Sequence, residues 1–402
     1  MKKILAASAA LIMAGSCFTV TNAMAADEAG ITFGGDARFR VRYLDNIDFG
    51  NSNKDAYDKW DSRFRLKVNA KAAGGAYAKT RIRTTETIFN GEVDAGSNKN
   101  IWADYGYIGI PLGTNFTLEG GKYSVTYGNA FLIEDLKMTG VRGIYKTDAM
   151  ELITFYEIMK EGQAGNANDK MKDNDTLRYG ATLSANMDAW TIGFIAAYQS
   201  DDTTDEVVDP VTEATSYADV ENEGFFGSVF LSGDMGMFAL ETELAYAEEG
   251  LTDWNYNQDD GMGAYVKATY KMDALSLGLN LGMTQDGFVP DAAYGYEMIG
   301  GDATATIVTV GEDGDWMVIG MQTEYQATEA LALTANLAYA TVDAECDDSD
   351  STYMEISGKL AYTISKGASF SWFAGYLMPD FDNAALEDDA AFATYGIFQV
   401  KF

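Results

Sequence analysis

Apolar and polar residues alternate along most of the chain after residue 25. In "LSLGLNLGM", residues 275–283, Leu or Met stands at every second position, with Ser, Gly or Asn between them. The same alternation recurs at 190–198, 238–246, 331–339 and 370–376. A period of two is typical of a β-strand with one apolar face, whereas an amphipathic helix has a period near 3.6. The pattern therefore predicts an all-β protein.

The connections between these strands alternate in length. The short ones lie at 71–75, 111–115, 148–149, 187–189, 233–236, 272–273, 328–330 and 365–367. The long ones lie at 45–59, 88–100, 122–141, 160–175, 199–223, 248–261, 285–315, 341–351 and 379–389. This alternation predicts about 18 antiparallel strands, with the short turns at one end and the long loops at the other. Sixteen strands is the alternative count, because the boundaries within 285–315 are the hardest to place.

Such a layout is typical of a transmembrane up-and-down β-barrel with short periplasmic turns and long external loops. The eight steps from residue 331 to 339 cover about 26 Å at roughly 3.3 Å per residue, which matches the apolar band of such a barrel. All four prolines fall in turns or loops, where no strand hydrogen bond is lost. A soluble β-sandwich has alternating strands too, but it does not explain long connections at one end. We therefore predict one barrel domain over 26–402 with long acidic external loops.

Residues 1–25 have the features of a cleaved secretory signal peptide. A charged start, "MKK", precedes a short apolar stretch at 4–13, and "AMA" at 23–25 has the small-x-small pattern of a cleavage site. The alternative is a lipoprotein cleaved before Cys17, although Ala14 stands where such sites prefer Leu. Removal of residues 1–25 would leave one cysteine, Cys346, which we interpret as an unpaired loop thiol.

The composition excludes several classes of function. The chain has 61 Asp and Glu against 28 Lys and Arg, a net charge of −33, and no histidine. So acidic a chain is not expected to neutralise the phosphates of a nucleic acid. Without histidine it has neither Ser-His nor Cys-His catalysis, nor the common zinc sites. We therefore predict that it is not an enzyme and has no catalytic residue, cofactor or metal. The acidic loops could bind Ca²⁺, but no twelve-residue calcium loop is present, which favours a solvated acidic rim.

The positive charge is concentrated on three consecutive predicted strands. Seven of the nine arginines lie between residues 38 and 83, where basic and apolar residues alternate, so that the basic side chains of each strand share one face. A charge that faces lipid near the membrane midplane costs about 2–4 kcal/mol, so this face is predicted to line the lumen. The alternative is a set of solvated lumen residues without a role in selectivity. The predicted basic wall consists of Arg38, Arg40, Arg42, Arg63, Arg65, Lys67, Lys79, Arg81 and Arg83.

The connection at 122–141 differs in composition from the other long connections. Its sequence, "KYSVTYGNAFLIEDLKMTGV", is rich in apolar residues, whereas 199–223 contains nine acids and no Lys or Arg. A loop of that composition is expected to fold inward into the barrel. Its acids, Glu134 and Asp135, would then face the basic wall and offset the repulsion between its charges. Acids of later strands are predicted to point inward as well and to create a transverse field: Glu151, Glu157, Glu241, Glu243, Glu324 and Glu355.

Three segments of the chain resemble the Gram-negative outer-membrane porins. "SRFRLKVNAKAAGGAYAKTRIR" (62–83) is similar to the second and third strands of that family, and "DYGYIGIPLGTNFTLEGGKYSVTYGNA" (104–130) is similar to the strands before its inward third loop. The last strand, "FATYGIFQVKF", resembles the family's terminal assembly signal. The resemblance implies a constriction between a basic wall, to which Lys122 is added, and loop acids at Glu134 and Asp135. The family's Pro-Glu-Phe-Gly-Gly-like segment is absent from the loop.

The combined features predict an outer-membrane porin for passive diffusion of small hydrophilic solutes and ions, because a barrel of 16–18 strands encloses a water-filled channel. The expected location is the outer membrane of a Gram-negative bacterium, in contact with lipid and lipopolysaccharide. The resemblance also implies a homotrimer. Two alternatives remain open: a substrate-specific channel with a binding site in the lumen, and a closed barrel that serves as an envelope scaffold or adhesin.

Overall fold

The computed structural model describes residues 29–49, 56–84, 87–88, 101–160, 175–202, 204–208, 215–219, 222–249, 251, 260–291, 294–300, 304–312, 314–344, 350–382 and 386–402. The predicted signal peptide, Cys17 and Cys346 lie outside the described residues. No helix long and apolar enough to cross a membrane occurs in the described part of the chain.

The described residues form twenty-one strands. They are β1 (Gly30–Asp45), β2 (Ala56–Lys71), β3 (Tyr77–Thr84), β4 (Thr87–Ile88), β5 (Ile101–Pro111), β6 (Phe116–Tyr127), β7 (Ile133–Lys146), β8 (Met150–Lys160), β9 (Thr176–Met187), β10 (Trp190–Asp201), β11 (Thr204–Val208), β12 (Thr215–Asp219), β13 (Gly224–Asp234), β14 (Phe238–Ala247), β15 (Gly261–Met272), β16 (Leu275–Gln285), β17 (Gly314–Gln326), β18 (Leu331–Ala344), β19 (Ser351–Ser365), β20 (Ala368–Phe381) and β21 (Ala391–Lys401).

These strands form a closed antiparallel barrel. Neighbours in the chain pair with each other around the wall, and β21 pairs with β1, with Lys401 opposite Asp36 and Phe392 opposite Asp45. β3 and β4 both pair with β2 and are successive parts of one wall strand. β11 and β12 form a separate two-stranded sheet. The wall therefore has 18 strands, which confirms the predicted fold class and the higher of the two predicted counts.

The two faces of the wall follow the alternation in the sequence. On β16 and β17, the Leu and Met residues at every second position are exposed on the outside, as Leu279 (48%) and Met317 (63%) illustrate, whereas Asn280 and Val318 between them are buried inside. A closed barrel with an apolar outer band has the architecture of an integral outer-membrane protein. The predicted localisation agrees with this architecture.

The eight predicted short turns all separate adjacent strands, but the third long connection is different from the prediction. Residues 122–141 are mostly strand, because β6 extends to Tyr127 and β7 begins at Ile133. The connection itself is 128–132, so the prediction of a loop over 122–141 was wrong in extent. The sequence "KYSVTY" alternates polar and apolar residues, which is why it continues β6 as a strand.

Candidate pore constriction

The hairpin of β6 and β7 leaves the barrel wall before it ends. β6 pairs with β5 as far as Lys122, which lies opposite Gly106, and β7 pairs with β8 from Thr139, which lies opposite Ile158. Between these points, residues of 123–138 pair with each other across the hairpin and not with β5 or β8. We call residues 123–138 the inner hairpin.

One face of the inner hairpin packs against the inside of the wall. The Tyr127 ring stacks on Phe155 of β8 with 5.2 Å between the ring centroids, and the Tyr127 hydroxyl donates a hydrogen bond to Glu157 Oε1 at 2.9 Å. The apolar residues on this side are buried: Tyr123, Val125, Tyr127, Ile133 and Met138. Burial of these side chains against β8 supplies the hydrophobic contribution that holds the hairpin inside the barrel.

The tip of the inner hairpin is anchored to β14 by Glu243. The backbone N–H groups of Asn129 and Phe131 donate to Glu243 Oε2 at 2.7 and 3.4 Å, and Glu243 is 1% exposed. The Asn129 amide also donates to the carbonyl oxygens of Leu231 and Thr242, each at 3.1 Å. Gly128 has a φ of +68°, and a Cβ there would collide with the Glu243 carboxylate, so this position requires glycine.

A second segment also enters the lumen: the described residues between β16 and β17, which are 286–291, 294–300 and 304–312. We call these residues the inner loop. The N–H groups of Met298 and Ile299 donate to Glu355 Oε2 of β19 at 3.0 and 3.1 Å. Glu297 accepts from Lys359 of β19 at 2.6 Å and from the Tyr395 hydroxyl of β21 at 2.8 Å. These partners lie on inward faces of the wall, so the inner loop spans the lumen side of β19 to β21.

The alternation of connection lengths predicts 285–315 only as a long connection between strands, so its inward fold was not predicted. Apolar residues of this segment give the same compositional signal as those of 122–141. Three of them, Phe288, Met298 and Ile299, are fully buried. Tyr294 and Tyr296 are also buried, and burial raises the pKa of both phenols. Gly282 and Gly320 of the adjacent strands leave room for these rings, since a Cβ at either glycine would collide with Tyr294 or Tyr296.

The inner hairpin and the inner loop bind each other. The Asp291 N–H donates to the Phe131 carbonyl oxygen at 2.8 Å, and the Glu134 N–H donates to Asp291 Oδ2 at 2.9 Å. The Phe131 ring is perpendicular to the Tyr294 ring, with centroids 4.9 Å apart, and stacks on Phe288 at 5.8 Å. The two segments therefore form one continuous structure across part of the lumen, which we call the shelf.

The cations of β1 to β3 occupy one face of the wall, and acids on the same face neutralise them in part. Asp61 lies 3.0 Å from Arg40 Nη2, 3.3 Å from Arg42 Nη2 and 3.8 Å from Arg38 Nη2. Asp36 lies 2.8 Å from Arg65 Nε and 3.6 Å from Arg63 Nη2. Arg81 binds Asp104 of β5.

The prediction had assigned this compensation to the loop acids and missed Asp36, Asp61 and Asp104. Their positions gave a signal, because Asp36 and Asp61 each precede an arginine by two residues and so share its strand face.

The remaining cations of the predicted set take different positions. Lys67 lies opposite Arg81 in the register of β2 and β3. The Lys79 ammonium group lies 4.9 Å from the centre of the Tyr77 ring, and the Arg83 guanidinium lies 5.4 Å from that of Trp102. Lys122 is exposed where β6 leaves the wall and pairs opposite Gly106 of β5, so it lies outside the strands β1 to β3 that carry the other cations.

The two predicted loop acids have different surroundings. Asp135 Oδ2 lies 3.8 Å from Arg81 Nη2, and Asp135 also binds Lys137 at 2.7 Å and accepts a hydrogen bond from the Ser124 hydroxyl. Glu134 instead lines a cavity together with Glu241 and Lys267, on the side of β14 and β15. The structure thus brings Asp135 to the basic wall, whereas Glu134 lies among other strands.

Within the described residues, no group of three or more His, Cys, Asp or Glu side chains could hold a metal ion.

Comparison with solved structures identifies the fold. The chain superposes on a BenF-like porin from Pseudomonas fluorescens Pf-5 with a TM-score of 0.60, 10% identity, and coverage of 92% of this chain and 98% of that one. OpdQ of Pseudomonas aeruginosa gives a TM-score of 0.60, 11% identity, and coverage of 92% and 97%. The fold is that of outer-membrane porins. The complex of Pseudomonas aeruginosa OccK2 (OpdF) with glucuronate also matches, at a TM-score of 0.58, 10% identity, and coverage of 92% and 98%.

No protein-family model matches the sequence, and no curated protein sequence matches it either. At 10–11% identity, the likeness to these porins shows the barrel fold and does not extend to the roles of single lumen residues. The function of the lumen therefore depends on the residues of this chain.

Proposed function

We propose that this protein is an outer-membrane channel through which small hydrophilic solutes and ions diffuse passively, between the basic wall and the inner hairpin. One observation carries the proposal: the 3.8 Å contact between Arg81 of the wall and Asp135 of the inner hairpin. At this point the basic wall and the inner hairpin are separated by a single pair of side chains. A solute that passes beside this pair meets a cation on one side and a carboxylate on the other, and this transverse field orients its dipole.

The basic wall keeps a net positive charge after its own acids are counted. Only three acids, Asp36, Asp61 and Asp104, form the ion pairs of six arginines on this face. A cationic lining raises the local concentration of anions in a narrow water-filled space. We therefore expect the wall to attract anions, whereas the acidic loops predicted from the sequence would oppose this effect.

The test of the channel proposal is single-channel recording on the refolded chain in a planar bilayer, in a background in which Cys346 is replaced by Ser. Stable current steps are expected. Asp135→Cys should then show a stepwise loss of conductance when a bulky methanethiosulfonate reagent is added, because Asp135 is 59% exposed beside Arg81. Asp188→Cys is the matched control: Asp188 shares the positive φ of Asp135 (53° against 46°) but lies in a short turn.

Each outcome of this experiment is informative. Current steps that are blocked at residue 135 and not at residue 188 support a pore beside the inner hairpin. Equal sensitivity at both positions contradicts the assignment of the constriction. Silence from protein whose circular dichroism shows a folded barrel contradicts the channel and favours the scaffold or adhesin alternative.

A second candidate is a substrate-specific channel for small carboxylates. It is favoured by the shelf, which fills part of the lumen, and by the complex of OccK2 with glucuronate, a carboxylate ligand held in the same fold. Arginine binds carboxylates in a bidentate geometry, so a basic wall is chemically suited to them. Saturable reduction of the current by glucuronate, without an equal effect of acetate at the same ionic strength, would support this candidate over general diffusion.

A further inference from the structure

A cavity of about 260 Å³ lies below the shelf, between the inner hairpin, the inner loop and the wall strands β14 to β17. It is separate from the basic wall, whose arginines are not among its lining residues. Three tyrosines and a phenylalanine contribute to its lining: Phe131, Tyr265, Tyr294 and Tyr296. Its polar lining comes from both wall and shelf.

The polar lining is rich in hydrogen-bond acceptors. The Asn280 carboxamide oxygen is buried and has no hydrogen-bond partner within the described part of the chain. Gln322 uses its Nε2 group to donate to Asn336 at 3.1 Å, which leaves its carbonyl oxygen as the group available to a solute. Glu241 lies 4.0 Å from Lys267, and both side chains are partly exposed. A buried acceptor without a partner is costly, so a hydroxyl donor would stabilise this site.

The charge of the cavity disfavours the ligands that suit the basic wall. Glu134 and Glu241 contribute two carboxylates, against one ammonium group from Lys267. A carboxylate solute would be repelled here, whereas an uncharged polyol would find acceptors for its hydroxyl groups and aromatic rings for its C–H surface. Pockets that combine apolar rings with a few well-placed polar groups are the usual form of small-molecule sites.

Access to this cavity is from the end of the barrel with the short turns. A second cavity of about 520 Å³ shares Lys267, Gly278 and Gln322 with the first and extends to the turns near Asp273 and Gln326. On the opposite side, the contacts between Phe131, Phe288 and Tyr294 close the shelf. A solute would therefore reach the site from the periplasmic side predicted for the short turns.

From these observations we propose that the cavity below the shelf is a binding site for an uncharged monosaccharide, distinct from the anion path along the basic wall. The access route rests on the proposed channel, but binding in the cavity does not. The two ideas can therefore fail separately.

Gly278 offers a direct way to fill the cavity. A Cβ at this position would meet its nearest heavy atoms at 3.7–3.9 Å, so a larger side chain can be built there without a backbone clash. Gly278→Leu should occupy the cavity and leave the wall intact. Gly358→Leu is the matched control, because Gly358 lies on the outer face and also has room, with the Thr334 carbonyl oxygen at 3.6 Å.

Asn280→Leu is the second variant, and it tests the unpartnered acceptor. Leucine has nearly the same shape as asparagine and removes the buried carboxamide oxygen that lacks a partner, so the barrel should still fold. Its loss of sugar binding would then not be a consequence of unfolding.

The experiment is isothermal titration calorimetry on the refolded full-length mature chain in detergent, with methyl β-D-glucopyranoside and, separately, glucuronate. Saturable binding of the glucoside is expected, with a dissociation constant in the range of about 1–10 mM. Gly278→Leu should weaken it about tenfold or more and Asn280→Leu about fivefold, with Gly358→Leu unchanged. Arg63→Gln should leave glucoside binding unchanged.

Several results would overturn the proposal. These are no saturable heat for the glucoside up to about 100 mM, equal affinity in the wild type and Gly278→Leu, or glucuronate binding that Gly278→Leu abolishes. If the glucoside binds and Gly278→Leu removes the binding, but the bilayer recordings are silent, the site stands and the channel proposal fails.

Discussion

Glutamates on the inner face of the wall act as acceptors for backbone N–H groups that would otherwise be buried without partners. Glu243 accepts hydrogen bonds from backbone N–H groups at the tip of the inner hairpin, including those of Asn129 and Phe131. Glu355 accepts hydrogen bonds from two N–H groups of the inner loop. Irregular backbone inside a barrel requires such partners, because a buried N–H without one is costly. These two acids therefore position the shelf, although the sequence marked them only as inward-facing charges.

Glu243→Gln should loosen the inner hairpin without changing the barrel. A hydrogen bond to a charged acceptor contributes about 1.5–3 kcal/mol, and the amide oxygen of Gln keeps part of this, so a loss of about 1–2 kcal/mol is expected. Urea unfolding in detergent micelles measures this loss, and closures of the single-channel current should become more frequent.

The control for this prediction is Glu241→Gln, on the same strand and the same inward face. Glu241 is 49% exposed and lies 4.0 Å from its lysine partner, so its replacement should change the free energy of unfolding by less than about 0.5 kcal/mol. Equal destabilisation by the two variants would argue against an anchoring role for Glu243.

At the scale of elements, the period-two pattern was sufficient to predict the strands and the eight short turns. It was also visible in β6 as far as Tyr127, but the apolar content of 122–141 led to the interpretation of a loop. The path of the inner loop could not be obtained in this way, because it depends on contacts such as Glu297 with Lys359, which join residues 62 positions apart. The period of the pattern predicts on which face of its strand a residue lies, but it does not predict which distant strand the residue contacts.

The position of the inner loop depends on two glycines that leave space for its tyrosines. Gly320→Ala should displace Tyr296, because the new Cβ would overlap its ring. Overpacking of this kind costs about 1–3 kcal/mol. Since Tyr296 belongs to the shelf, we expect a less stable shelf and a larger single-channel conductance.

Gly278→Ala is the control for the glycine prediction. It lies on the neighbouring strand β16 and faces inward, but its Cβ would have only ordinary contacts at 3.7–3.9 Å. The conductance of this variant should equal that of the wild type. A Gly320→Ala channel with wild-type conductance would show that Tyr296 does not set the width of the pore.

For the whole molecule, the distribution of charge is more informative than its sum. The chain has a net charge of −33, yet the lumen face of β1 to β3 is basic. A prediction from net charge alone would favour cations, whereas the role proposed for the basic wall predicts a preference for anions. The ion selectivity of the proposed channel therefore tests which electric field dominates, that of the basic wall near the constriction or that of the acidic loops. Screening limits the reach of the loop charges to about 8–10 Å at physiological salt.

Replacement of Arg38 and Arg63 together should shift the selectivity towards cations. These two arginines face each other directly across β1 and β2, and each is the most distant partner of its acid, at 3.8 and 3.6 Å. Asp36 and Asp61 thus keep closer partners in the double variant Arg38→Gln, Arg63→Gln. Because like charges directly opposite destabilise a sheet, this variant should fold at least as well as the wild type.

The expected size of the shift follows from the distance between wall and solute. A unit charge about 4 Å from a permeating anion is worth roughly 1 kcal/mol in water, and screening reduces this value. The ratio of anion to cation permeability, measured from the reversal potential in a KCl gradient, should therefore fall about two- to fivefold. Lys146→Gln with Lys366→Gln removes the same charge near the short turns and should leave the ratio unchanged. A similar shift in both double variants would mean that total charge, rather than the basic wall, sets the selectivity.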